Sequence, residues 1–196
     1  MSEQAPEIIL ASASPRRREL LQQIGVHCLV CPVPVDETPL SQERPEHYVR
    51  RVAAEKSALG RQLCREPLPV LGADTAVVLR DRILGKPENR QQALVMLNSL
   101  SGQKHHVYSA VSLRVRQQVH YSALNVTEVH FRELSEAQIL RYWETGEPVD
   151  KAGAYAIQGL GGAFVENIQG SFSGVVGLPL YETTDLLKKA GIDIFE

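Results

Sequence analysis

An α/β fold is predicted for this chain by three observations. Apolar runs at 8–10, 26–30 and 70–79 read as strands, and they alternate with helix patterns that open on Pro15 and Pro45. Two longer β-rich stretches, 107–115 and 119–131, read as an antiparallel pair turned at Gln117-Gln118. With 196 residues, 43% hydrophobic and 22% charged, the chain can bury one sizeable core or two small lobes sharing a cleft. No repeat, low-complexity tract or linker divides it, so residues 1–196 are expected to form a single domain.

Ile8-Ile9-Leu10 runs into Ala11-Ser12-Ala13-Ser14, after which Ser14 has the character of a helix N-cap and Pro15 of the first helical residue. Leu20, Leu21 and Ile24 make the buried stripe and Gly25 the stop. Arg16-Arg17-Arg18 fill the first turn, where each exposed cation opposes the helix dipole by about 0.3–1 kcal/mol. A strand, a small-residue turn and an arginine-rich helix start together suggest an anion site for phosphate; the alternative is arginines that are solvated or paired with Glu19. The extended segment 33–38 then ends in Asp36 and Glu37. Pro45 opens a helix to about Arg65 with Val49, Val52, Ala53, Leu59 and Leu63 as its apolar stripe. Lys56 falls on that stripe, so it either reaches the edge or points into a polar pocket, with Glu55 as a local candidate partner.

The stretch 70–87, VLGADTAVVLRDRILGKP, is the most informative. Its apolar residues predict a strand buried on both faces, yet Asp74 and Thr75 sit in the middle. An unpartnered buried carboxylate costs several kcal/mol, so Asp74 requires a cation, a metal or a set of donors. A turn at Asp81-Arg82 returns the chain to Gly85-Lys86-Pro87, which displays Lys86 on a loop. One hairpin thus delivers an acid and a base, or else a salt-bridged core aspartate and an ordinary surface lysine.

Residues 89–100 predict an amphipathic helix closed by Ser101-Gly102-Gln103, and 135–145 another, capped by Ser135. His105 and His106 precede the following strand and, as neighbours facing opposite ways, are poorly placed to share a metal. In 150–162, DKAGAYAIQGLGG, four glycines among small residues imply close approach of backbone to backbone or ligand, with Lys151, Tyr155 and Gln158 as polar handles. It has neither the ending of a P-loop nor the spacing of a dinucleotide fingerprint. A strand at 165–169, a tight segment at 170–174 and a closing helix at 178–190 complete the chain.

A net charge of -2 and a pI near 6.3 argue against a general nucleic-acid or membrane-surface binder. No apolar run reaches bilayer length and MSEQAPE lacks the regions of a signal peptide, which makes the cytoplasm the expected location. Cys28, Cys31 and Cys64 fit a reducing compartment rather than a disulfide scaffold. The Cys28 and Cys31 pair lies on a predicted strand, where residues three apart face opposite ways.

Taken in order, SASPRRREL, the VDE at 35–37, AAEKSALG, GADTAVV, GKP, SGQKHHVYSAV, DKAGAYAIQGLGG and GSFSGVVGLPL resemble the Maf-like proteins over essentially the whole chain. That resemblance implies an elongated mixed α/β fold with two lobes around a central cleft, similar to the inosine triphosphate pyrophosphatase group. It also implies hydrolysis of nucleoside triphosphates to monophosphate and pyrophosphate with a divalent cation, Mg²⁺ or Mn²⁺. Asp74 matches the usual proton acceptor; Arg16, Thr75 and Gln158 match positions tied to substrate choice; Ser12, Arg17, Glu37, Lys56 and Lys86 match polar positions of the same pocket. Glu37 and Asp74 are the implied metal ligands. The form around Gln158 resembles the dTTP and UTP branch, with modified pyrimidine nucleotides as further candidates, rather than the 7-methyl-GTP branch, and Ala13 departs from a glycine common in relatives. A homodimer is implied. The competing class is a nucleotide-binding regulator of septum formation that needs no turnover.

Overall fold

The computed structural model describes residues 5–116 and 119–195. A seven-stranded sheet forms its centre. In chain order the strands are β1 (Ile8–Leu10), β2 (Cys28–Val30), β3 (Val70–Leu79), β4 (Arg82–Leu84), β5 (Lys104–Arg114), β6 (His120–Phe131) and β7 (Val165–Gln169). They lie in the order β2-β1-β3-β5-β6-β7, with β4 paired to β3 off this path. β1 runs parallel to β2 and β3, whereas the neighbouring pairs β3–β5, β5–β6 and β6–β7 are antiparallel. The sheet is therefore mixed, as the family resemblance implies. Helices α1 (Pro15–Gln23), α2 (Pro45–Leu63), α3 (Arg90–Leu100), α4 (Glu136–Glu144), α5 (Phe172–Val176) and α6 (Leu180–Lys189) flank it.

Two large apolar clusters organise the packing. Leu97, Leu100, Phe131, Ile139, Tyr142 and Phe164 make one around α3 and α4. Ile8, Leu10, Leu21, Leu71, Leu113, Leu178 and Leu187 make the other around α1 and α6. Half-buried Ile157 packs against both.

Local pattern locates the elements, and the differences fall at their ends. β3 is buried almost throughout, on both faces, and Ser135 forms a capping box with Gln138. Asn89 caps α3 through Gln92 rather than lying within it. Ser14 occupies the N-cap position of α1 but makes no side-chain cap; its own N–H donates to Ser12 Oγ at 3.2 Å. His105 and His106 lie inside β5, not before it, and face opposite ways: His105 is buried and bonded to the Tyr155 hydroxyl, His106 is exposed. The β3–β4 turn uses Arg80 and Asp81, both left-handed, one residue earlier than expected, because Leu79 pairs with Arg82. The turn assigned to Gln117-Gln118 lies outside the described residues.

Three further expectations are corrected. The α2 stripe runs through Tyr48, Val49, Val52, Ala53, Lys56, Ser57 and Gly60, leaving Leu63 exposed, since helical phase carries Leu63 off the sheet in the last turn. Glu55 pairs with Arg51 one turn earlier rather than with Lys56. Cys31 is bonded to Cys64, 33 residues away, with Cα atoms 6.9 Å apart; Cys28 stays free. Local spacing compares Cys28 with Cys31, but Cys31 and Cys64 pack together against Ile9, Ala11 and Val70 on the edge where α2 ends.

Gly72 brings α2 close to β3. A Cβ there would collide with the Ala53 carbonyl and lie 2.6 Å from the Ser57 nitrogen. Gly72→Ala is expected to cost about 1–3 kcal/mol in denaturant unfolding, and to push Lys56 away from Asp74, two residues along β3.

Candidate active site

Asp74 sits in the middle of β3 with its side chain buried, and α2, packed across that strand, projects Lys56 onto it. Lys56 Nζ donates to Asp74 Oδ1 at 2.9 Å and pairs with Glu37 Oε1 at 2.6 Å. Glu37 reaches this point on the extended segment after β2, and its other oxygen accepts from Lys86 Nζ at 3.2 Å. Lys86 follows β4, so the hairpin does bring an acid and a base to one place. The Asp74 Oδ2 oxygen is buried and has no hydrogen-bond partner among the described residues.

Of the three arginines opening α1, the middle one turns inward. Arg17 Nε donates to the Gly177 carbonyl at 2.8 Å, and its two terminal nitrogens donate to Ser12 Oγ at 3.1 Å and Thr75 Oγ1 at 3.4 Å. Thr75 also contacts Ser109 Oγ at 3.0 Å, and Ser109 donates to the Gly174 carbonyl at 2.6 Å. Arg17 thus locks β1, β3 and the α5 end together beside Asp74. Arg16 is half-buried on the cavity wall, whereas Arg18 is exposed and lies off it.

The two carboxylates are driven in opposite directions. Burial pushes the Asp74 carboxyl above its ordinary range, with Lys56 and Arg17 offsetting only part of that push and Glu37 adding to it. Burial also acts upward on Glu37, but Lys56 and Lys86 outweigh it and hold this carboxyl below its ordinary range. Asp74 is thus held toward its neutral form and Glu37 toward its anionic form, two neighbouring carboxyls whose surroundings push their pKa values apart.

A cavity of about 1040 Å³ takes in all nine sequence-predicted positions: Ser12, Arg16, Arg17, Glu37, Lys56, Asp74, Thr75, Lys86 and Gln158. It opens between the two apolar clusters, with Val77, Leu84 and Tyr155 on one wall and Val176 on the other. Gln158 is exposed and its side chain makes no hydrogen bond among the described residues. Sequence inspection misses Tyr48, whose hydroxyl donates to the Glu37 carbonyl at 2.9 Å and so anchors the acidic segment. Burial, together with the Asp74 and Glu37 charges, holds that phenol well above its ordinary range and keeps it a donor. Its only sequence signal is a tyrosine on the α2 stripe two turns before Lys56.

No group of three or more histidine, cysteine, aspartate or glutamate side chains is placed to hold a metal among the described residues. The partnerless Asp74 Oδ2 and the adjoining Glu37 carboxylate nevertheless present hard oxygen donors of the kind that suit Mg²⁺ or Mn²⁺ beside a phosphate.

A curated relative from Methylococcus capsulatus, named dTTP/UTP pyrophosphatase, is 54% identical over 95% of this chain and 92% of its own length. Relatives from Pseudoalteromonas atlantica and Alkalilimnicola ehrlichii bear the same name and are each 52% identical, over 94% and 97% of this chain and 97% and 96% of theirs. A solved structure of a HAM1 protein from Coxiella burnetii matches 65% of this chain and 73% of that one at 16% identity and a TM-score of 0.46, too loose a likeness to carry an argument. The family model described as Maf-like protein spans residues 7–190, from the start of the sheet to the end of α6, and the chain belongs to that family.

Proposed function

We propose that the chain hydrolyses dTTP and UTP to the nucleoside monophosphate and pyrophosphate, the activity for which its relatives are named. The observation that carries this reading is Asp74, a buried carboxylate with a raised pKa and one free oxygen, facing a nucleotide-sized cavity whose walls carry arginines and lysines.

Asp74 Oδ2 accepts the proton of the attacking water, while Lys56, bonded to the other oxygen, keeps the carboxyl in place. Arg17 has three protein acceptors, so it supplies fixed positive charge and rigidity rather than a free grip on substrate. Arg16 and Lys86, on the cavity wall and its loop, offer donors to the phosphates. Glu37 would hold the divalent cation, and Asp74 Oδ2, in place of its role as base, is the alternative second ligand. When bound, that cation neutralises phosphate charge and lowers the pKa of coordinated water.

Gln158 carries both a donor and an acceptor, which matches the O4 and N3 edge of uracil and thymine. A pocket indifferent to the C5 methyl treats dTTP and UTP alike, because one methyl-sized difference is worth only about 1–3 kcal/mol. The reading is tested by kcat/KM with dTTP, UTP, CTP, GTP and 7-methyl-GTP. Wild type is expected to prefer dTTP and UTP, and Gln158→Ala to narrow that preference about tenfold or more with a smaller effect on kcat. A uniform loss across the nucleotides would remove Gln158 from base selection.

A further inference from the structure

Gln158 is mounted on a loop whose backbone is gripped by a single carboxylate. Glu147, three residues beyond α4, turns its side chain toward residues 156–161. Its Oε1 accepts from the Tyr142 hydroxyl at 2.7 Å and from the Gly161 N–H at 2.9 Å, and its Oε2 accepts from the Leu160 N–H at 2.9 Å. The same Tyr142 hydroxyl accepts from the Ala156 N–H at 3.1 Å. The chain is therefore held two residues before Gln158, and two and three residues after it.

The glycines of this stretch serve that grip. A Cβ on Gly159 would run into the Glu147 carboxylate, so the close approach implied by the glycine-rich sequence is, at this position, to an internal anion. Burial acts to raise the Glu147 carboxyl, but the hydrogen bonds from Gly161, Tyr142 and Leu160 outweigh it and hold the group below its ordinary range. An ionised carboxylate accepting two backbone N–H bonds and a phenol is a strong local fixture. Because Gln158 makes no side-chain hydrogen bond of its own among the described residues, its direction into the cavity is set by the backbone on either side.

We propose that Glu147, bridged to Ala156 through Tyr142, is a positioning residue for base selection, fixing the loop that aims Gln158 at the pyrimidine edge. This rests on Gln158 being the base contact. Glu147 is absent from the cavity lining and acts through the loop.

The test compares kcat/KM for dTTP and CTP in wild type, Glu147→Gln, Tyr142→Phe and Gln158→Ala. Glu147→Gln turns one acceptor into a donor that faces a backbone N–H. Its dTTP-to-CTP ratio is expected to fall about tenfold, chiefly through KM for dTTP, the size of losing one hydrogen bond to a charged group. Tyr142→Phe keeps the ring packed edge-on against Phe164, 4.8 Å away, and so preserves the fold while removing the bridge; it is expected to shift the ratio the same way by a smaller factor. Faster amide exchange at Leu160 and Gly161 in Glu147→Gln accompanies the change if the grip is lost. If Gln158→Ala narrows the ratio while both other variants leave it at the wild-type value, or lower both nucleotides equally, Glu147 has a structural role alone and the inference is overturned. If Gln158→Ala leaves the ratio unchanged, the base contact itself is wrong and the inference falls with it. Should Glu147→Gln not fold, Tyr142→Phe decides.

Discussion

Asp74→Asn is expected to lower kcat by about 10²–10⁴, the range a positioned proton acceptor contributes, while the melting temperature does not fall. Both halves follow from the same burial. The folded-state pKa of Asp74 is raised, so the native state binds this proton more tightly than the unfolded chain does. Wild-type stability therefore decreases as pH rises through that folded pKa. Asparagine has the same shape, carries no charge and escapes that loss, so the variant gains on wild type as pH increases. Lys56 keeps Glu37 as its partner in the variant. Turnover measured with dTTP, alongside thermal melting from pH 5 to 9, checks the prediction; near-wild-type turnover would remove Asp74 from the chemistry.

Lys56→Met has the opposite stability consequence. Lys56 is the cation bonded to both Asp74 and Glu37, and its side chain and that of Asp74 are only 8% and 6% exposed. Removing one partner of a buried pair strands the other, at about 3–5 kcal/mol. Methionine fills the same volume, so the loss reports charge rather than a cavity. Protonating Asp74 relieves the stranded charge, and the deficit relative to wild type should shrink as pH falls through its raised pKa. Urea unfolding followed as a function of pH, from acid through neutral, reads this directly. A deficit that does not change anywhere in that range would mean that packing, not the ion pair, is what Lys56 supplies. Turnover is expected to fall as well, because Asp74 loses the donor that holds it in place.

These two residues were the most legible parts of the site because each violates a local pattern. A carboxylate inside a doubly buried strand and a lysine on an apolar helical stripe both demand partners, and in the fold they are each other's. Glu37 and Gln158, by contrast, lie on irregular segments with no periodicity to break: the residues mark them only as part of an acidic pair and as one of three polar handles, and their roles come from the family resemblance. Gly177 takes part through its carbonyl, which no side-chain signal can announce. Glu147 looks like a surface acid in a turn, since the amides it holds lie 13 and 14 residues later. The Cys31–Cys64 bond is hidden for the same reason: a pairing across 33 residues depends on where α2 ends against the sheet. Periodicity reports what one element buries, not which distant element meets it.

The most direct test of the proposed chemistry is product analysis of the purified protein with Mg²⁺ and dTTP, resolving pyrophosphate from orthophosphate. One pyrophosphate and one thymidine monophosphate for each dTTP consumed is the predicted result. Release of orthophosphate, or dTTP bound tightly and recovered unchanged, would contradict it.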